Sequence, residues 1–113
     1  MNKDWVTDLQ QELARFARDR DWEEYHTPRN LAALIASEAG ELLALFRWGQ
    51  DALAESPDAV RQELADVFLG VLRFADQAGI NLEQVSREKI KTNASNYRAA
   101  PGDTLPDRPR ESG

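Results

Sequence analysis

The stretch TPRNLAALIASEAGELLALFRW, residues 27–48, decides the fold. Thr27 followed by Pro28 is a helix start: a hydroxyl at the N-cap, then a ring whose missing N–H would be unpaired there anyway. Beyond it Leu31, Leu34, Ile35, Leu42 and Leu45 recur at helical spacing and define an apolar face, and Gly49 offers a stop after Trp48. Two acidic residues interrupt that face. On a helical wheel turning about 100° per residue from Leu31, Glu38 falls at roughly 340°, inside the apolar face, and Glu41 at roughly 280°, on its flank one turn later.

Working outward, Ser56-Pro57 repeats the start device and predicts a helix that ends before Gly79. Its stripe of Val60, Val67, Val71 and Phe74 carries Glu63 at the edge and Asp66 one turn on, a second acidic i,i+3 pair merging into a buried face. Upstream, Trp5, Leu9, Leu13, Phe16 and Ala17 share one stripe. Downstream, Asn81 with Gln84 three residues later reads as a capping box. The predicted helices are 4–20, 28–48, 57–78 and 82–97, and no strand pattern competes. The short connections at 21–27, 49–56 and 79–81 favour antiparallel neighbours. The expected fold is all-α and four-helix bundle-like over residues 1–98, followed by a flexible Pro- and Gly-containing tail at 99–113. The helix at 28–48 is apolar round much of its circumference, which points to self-association.

Composition narrows the function classes. A chain of 113 residues has room for one domain and a modest core. No cysteine is present, which excludes a thiol nucleophile and thiolate-ligated metal. The formal charge is −6, from 14 Lys+Arg against 20 Asp+Glu, and is unevenly spread. Residues 82–98 reverse the sign with Arg87, Lys89, Lys91 and Arg98, a compact basic segment suited to a small anionic ligand. It is not the broad basic footprint of a nucleic-acid binder. The acidic, polar start MNKDWVTDLQQEL does not read as a signal peptide, and no uncharged run approaches a membrane span. A cytoplasmic protein without a membrane partner is expected.

Buried carboxylates need an offset, because desolvating an unpaired charge is costly and like charges add to the cost. Apart from Arg29 in the first turn of the 28–48 helix, Arg47, Arg61 and Arg73 are the only basic residues inside the two acidic helices as far as Trp48 and Gly79. Divalent metal is the economical alternative, since hard cations take oxygen ligands. Di-iron bundles require Glu-x-x-His on two helices, whereas the single histidine lies in Glu23-x-x-His26, ahead of the Thr27-Pro28 start. Trp22, Tyr25 and His26 lead into the acidic helix and Trp48 closes it. Each reads as a core residue or as the flat apolar slot that a nucleobase needs. No Walker loop occurs.

Glu38-Ala39-Gly40-Glu41 followed by Glu63-Leu64-Ala65-Asp66 resembles the E-x-x-E…E-x-x-D signature of the MazG-like all-α nucleoside triphosphate pyrophosphohydrolases. RDWEEYHTPRNL at 20–31 and LFRW at 45–48 look like the dCTP pyrophosphatase branch, and the resemblance covers roughly residues 12–98. It implies a Mg²⁺-dependent (or Mn²⁺-dependent) homodimer or homotetramer that converts a nucleoside triphosphate to monophosphate and pyrophosphate. Carried over, Glu38, Glu41, Glu63 and Asp66 are metal ligands, with Glu41 the choice to activate water and Glu38 alongside it. Trp22, His26, Trp48 and Tyr97 contact the nucleoside, and Lys89 and Asn93 meet the phosphates. Two departures stand out. The family often reads N-x-x-R-Y-P where this chain has Asn96-Tyr97-Arg98, and Gly70 replaces a tyrosine that dCTP-specific relatives can place against the sugar. A broader or dUTP-directed pyrophosphohydrolase, and a non-catalytic helical interaction protein, are the alternatives.

Overall fold

The computed structural model describes residues 4–96, and every regular element among them is helical. The helices are α1 (Trp5–Asp19), α2 (Pro28–Ala44), α3 (Ala52–Glu55), α4 (Pro57–Ala78) and α5 (Leu82–Asn96), with a 3₁₀ turn at Glu23–Tyr25. The expected all-α architecture is therefore present, with α3 as an addition inside the predicted 49–56 connection. Tyr97 and the tail expected at 99–113 lie outside the described residues. By internal contacts the chain divides between Ile80 and Asn81 into two compact units, the second of which contains α5.

The helix ends follow local chemistry. Asp4 caps α1 through Oδ1, which accepts from the backbone N–H groups of Val6 and Thr7 at 3.1 and 3.3 Å. The helix closes with Trp22 N–H donating to the Ala17 carbonyl and Asp21 N–H to that of Arg18, a Schellman arrangement. Here Asp21, not glycine, takes the left-handed position at φ 57°. Thr27 accepts from the Asn30 N–H at 3.2 Å, as its position ahead of Pro28 predicts. Regular α2 stops at Ala44, short of the expected Trp48. From there Leu45, Phe46 and Arg47 donate three residues back, so the chain continues as tighter turns.

Ser56 does not use its hydroxyl as a cap. Its N–H is engaged by the Ala52 carbonyl at 2.7 Å at the end of α3, and that backbone commitment overrides the capping geometry. Pro57 still opens α4. Gly79, at φ 68°, ends α4 in the left-handed conformation that glycine adopts without penalty. Within the second unit, Asn81 Oδ1 accepts from the Gln84 N–H, but the Gln84 amide donates to Glu88 and leaves the capping box half closed.

In the first unit α2 and α4 form the main pair, with α1 and α3 packed on α4. Ile35 lies over Gly70 while Glu38 lies beside Glu63 and Asp66, so α2 and α4 run antiparallel. Leu31 and Leu72 are the largest fully enclosed side chains. Each is worth roughly 1.5–3 kcal/mol of apolar burial. Gly70 sets how closely the pair approaches, since a Cβ there would stand 3.0 Å from Ile35 Cγ1. Gly70→Ala is expected to cost about 1–3 kcal/mol through overpacking. The loss should shrink in an Ile35→Ala background when a double-mutant cycle is run by urea unfolding. Strictly additive losses would mean that this contact does not limit the approach.

Candidate active site

The antiparallel α2–α4 pair brings the two acidic motifs face to face. Glu38 of α2 and Glu63 and Asp66 of α4 each present an oxygen within 4.8 Å of the others. Glu38 and Glu63 are half-buried, and Asp66 is exposed. The Oε1 atom of Glu63 is enclosed without a hydrogen-bond partner. Its desolvation, followed by the charges of Glu38, Asp66 and Glu41, pushes the Glu63 carboxyl above the usual carboxylate range. Glu41 is exposed and does not join the close group of three, although its charge reaches Glu63.

The arginines of α4 are engaged elsewhere. Arg61 lies 3.8 Å from Asp58, and Arg73 lies 3.3 Å from Asp76. The acidic group thus keeps an oxygen-only donor set with one enclosed oxygen unsatisfied, which is what a hard divalent cation fits.

Asp66 also borders a cavity of about 150 Å³ whose wall includes Trp22, His26, Leu34, Gly70 and Arg73. Trp22 is held there by an edge contact with Phe16, their ring centroids 5.5 Å apart, and stays 44% exposed. The His26 ring lies 6.3 Å from that of Trp22. Desolvation, with the nearby Arg73 charge, holds the His26 imidazole below its ordinary range. One cavity therefore has an aromatic wall, neutral and cationic nitrogen groups, and an edge shared with the carboxylates.

Within the first unit, one expected site residue does not converge on it. Trp48 lies past the end of α2, 91% exposed and outside the cavity wall, with the Arg47 guanidinium 5.8 Å from its ring. Lys89 and Asn93 are one turn apart on α5, which belongs to the second unit, and Tyr97 lies outside the described residues. Arg73 was not expected at the site. It is 6% exposed, and its Nε–H donates to His26 Nδ1 at 3.1 Å. The only sequence signal for it is a lone arginine in the apolar run Val71-Leu72-Arg73-Phe74-Ala75.

Known proteins share this arrangement of sequence and fold. The sequence pattern of the MazG-like family matches residues 33–107. Rattus norvegicus dCTP pyrophosphatase 1 is 36% identical over 99 residues, which cover 81% of this chain and 58% of the rat protein. Homo sapiens dCTP pyrophosphatase 1 is 34% identical over 101 residues, covering 83% of this chain and 59% of its own length. The chain thus spans less than two thirds of the length of these curated relatives. The crystal structure of a pyrophosphatase from Archaeoglobus fulgidus superposes with a TM-score of 0.82 at 31% identity, covering 88% of this chain and 97% of that one.

Because the folded Glu63 carboxyl titrates above its ordinary 4.5, the protonated form favours the metal-free fold. That contribution is complete below pH 4.5 and is lost as pH rises through the shifted value. Glu63→Gln, which keeps the shape without the charge, should therefore raise the Tm of chelator-treated protein at neutral pH. It should also flatten the change of Tm with pH above 4.5. An unchanged or lowered Tm at neutral pH would show that Glu63 is not strained there.

Proposed function

The chain belongs to the MazG-like family, and from that premise we propose that it is a Mg²⁺-dependent nucleoside triphosphate pyrophosphohydrolase, with dCTP or a modified cytosine deoxynucleotide as the favoured substrate. The names of the relatives, dCTP pyrophosphatase 1 and a pyrophosphatase, support the reaction class. The observation that carries the reading is Asp66, which belongs to both the carboxylate group and the Trp22 cavity. A ligand in contact with both would present a flat ring to one and phosphates to the other.

Glu38, Glu63 and Asp66, together with Glu41 beside them, would hold the cation, with Mn²⁺ able to substitute. When bound, it supplies charge neutralisation for the triphosphate, polarisation of the phosphoryl oxygens and a lower pKa for water. Glu41, exposed beside the group, orients the attacking water and accepts its proton, and Glu38 shares that role. The water oxygen forms a bond to phosphorus, the α–β phosphoanhydride bond breaks, and pyrophosphate departs with the electron pair. Trp22 and His26 hold the nucleoside, and Trp48 and Tyr97 add contacts. Lys89 and Asn93 bind phosphate oxygens. An enzyme of the nucleotide pool works in the cytoplasm, where its substrates are. Among the described residues no helix is long and apolar enough to cross a membrane.

The same reading includes a homodimer or homotetramer. Trp5 stacks on Phe68 with centroids 5.9 Å apart, yet Trp5 is 60% exposed, and Leu64 on the same α4 is 56% exposed. Apolar side chains that accessible are what a second copy would cover. Sedimentation equilibrium should return a multiple of 12.8 kDa, and the monomer mass at micromolar concentration would remove the assembly.

A panel of ribo- and deoxynucleoside triphosphates with Mg²⁺ tests the activity. Pyrophosphate and monophosphate should appear in equal amounts, with dCTP leading in kcat/KM. Orthophosphate as first product would overturn the reaction, and dUTP in the lead would transfer the substrate assignment. Mg²⁺ should raise the Tm of the wild type. Asp66→Asn should abolish both that shift and turnover while the chain stays folded. Trp22→Ala should raise KM more than it lowers kcat.

A further inference from the structure

Arg73 is a buried cation that the metal and phosphate chemistry does not use. Its charge is already compensated by Asp76, 3.3 Å from a terminal guanidinium nitrogen. Its Nε–H is directed at His26 Nδ1, 3.1 Å away. Arginine cannot accept a hydrogen bond, so Nδ1 must carry the lone pair, and the proton of the neutral ring must sit on Nε2. The low basicity of His26, which follows from desolvation and from the Arg73 charge, keeps the ring neutral near pH 7.

The backbone reinforces this placement. The His26 N–H donates to the Glu23 carbonyl and closes the 3₁₀ turn, and the next residue, Thr27, caps α2. The imidazole is therefore set between Trp22 on its own segment and Arg73 on α4. Trp22, His26 and Arg73 all border the cavity that Asp66 shares with the carboxylates. With the guanidinium charge paired and the imidazole neutral, this wall offers N–H donors without net attraction for an anion. That suits the edge of a neutral base better than a phosphate.

We propose that Arg73 is a positioning residue that locks His26 as an Nε2–H donor, and that this donor selects a nucleobase presenting a ring acceptor, the N3 of cytosine, over one presenting the N3–H of uracil. The assignment rests on the nucleotide-hydrolase reading for its ligand, but the locked tautomer does not. A donor facing a donor leaves both unpaired in a desolvated site, and such mismatches discriminate strongly.

Two measurements separate the parts. Imidazole ¹⁵N spectra of the single histidine in the metal-free full chain should show the Nε2–H tautomer in the wild type and a mixture in Arg73→Met. Methionine keeps apolar volume where a buried ion pair is removed, a type of exchange that proteins often tolerate. Arg73→Lys, which keeps the charge without the Nε geometry, should also give the mixture and serves if Arg73→Met fails to fold. An Nδ1–H tautomer in the wild type overturns the lock.

Binding of dCMP and dUMP, read by tryptophan fluorescence without metal, then tests the selection. The wild type should prefer dCMP by ~10-fold or more. The preference should fall toward unity in Arg73→Met and in His26→Phe, and the double variant should lose no more than either alone. A preference that survives Arg73→Met although the tautomer has changed overturns the base-reading role. If no triphosphate is hydrolysed but dCMP still binds with this pattern, the catalytic reading fails and the positioning role stands.

Discussion

Three carboxylates held within 4.8 Å of one another across two packed helices are the constraint on which the rest of this structure depends. Helix packing normally buries apolar faces, yet here Glu38 and Glu63 are drawn into the seam by the residues around them. Leu31 and Ile35 precede Glu38 on α2, and Val60 and Val67 flank Glu63 on α4. Apolar burial on either side outweighs the local electrostatic cost and leaves an enclosed, unpartnered Glu63 oxygen. The fold thereby stores a repulsion that protonation relieves and that a bound cation would relieve as well.

The same seam fixes the second half of the site. Because a glycine stands at 70, α2 and α4 approach until Ile35 fills the space a Cβ would need. That crossing places Asp66 and Arg73, two turns apart on α4, against Trp22 and His26 from the connection that precedes α2. The Schellman end of α1 and the 3₁₀ turn deliver the connection at the right height. Asp21 accepts a left-handed backbone there, which only a few residue types tolerate. Carboxylates, aromatic wall and buried guanidinium are thus consequences of one helix crossing.

Apolar side chains are unevenly covered among the described residues. Leu31 and Leu72 are fully enclosed, but Trp5, Leu43 and Leu64 are more than half exposed. A core this small is thin support for a repulsive acidic seam. Covering the outer faces would add apolar burial without disturbing the seam itself.

By itself the sequence determined the helices, their order and the acidic motifs. Periodicity, Thr27-Pro28, Pro57 and Gly79 are local signals, and Glu38 and Glu63 betrayed themselves by interrupting apolar stripes. Trp22 and His26 were legible as candidates because of their neighbours in the chain. Local signals also misled where two elements compete for one residue. Ser56 looked like a cap but was claimed by α3, and the helix expected to reach Trp48 tightened after Ala44. Tertiary structure alone decided that Glu38, Glu63 and Asp66 form the close group while Glu41 stands beside it. It also decided that Trp22 enters the cavity and Trp48 does not, and that Arg73 meets His26 from 47 residues away. The reason is geometric: a helical wheel fixes the direction of a side chain from its own axis, but distance to another helix depends on how deeply the two interlock. That depth is set by Gly70 and Ile35, whose contact no one-dimensional pattern contains.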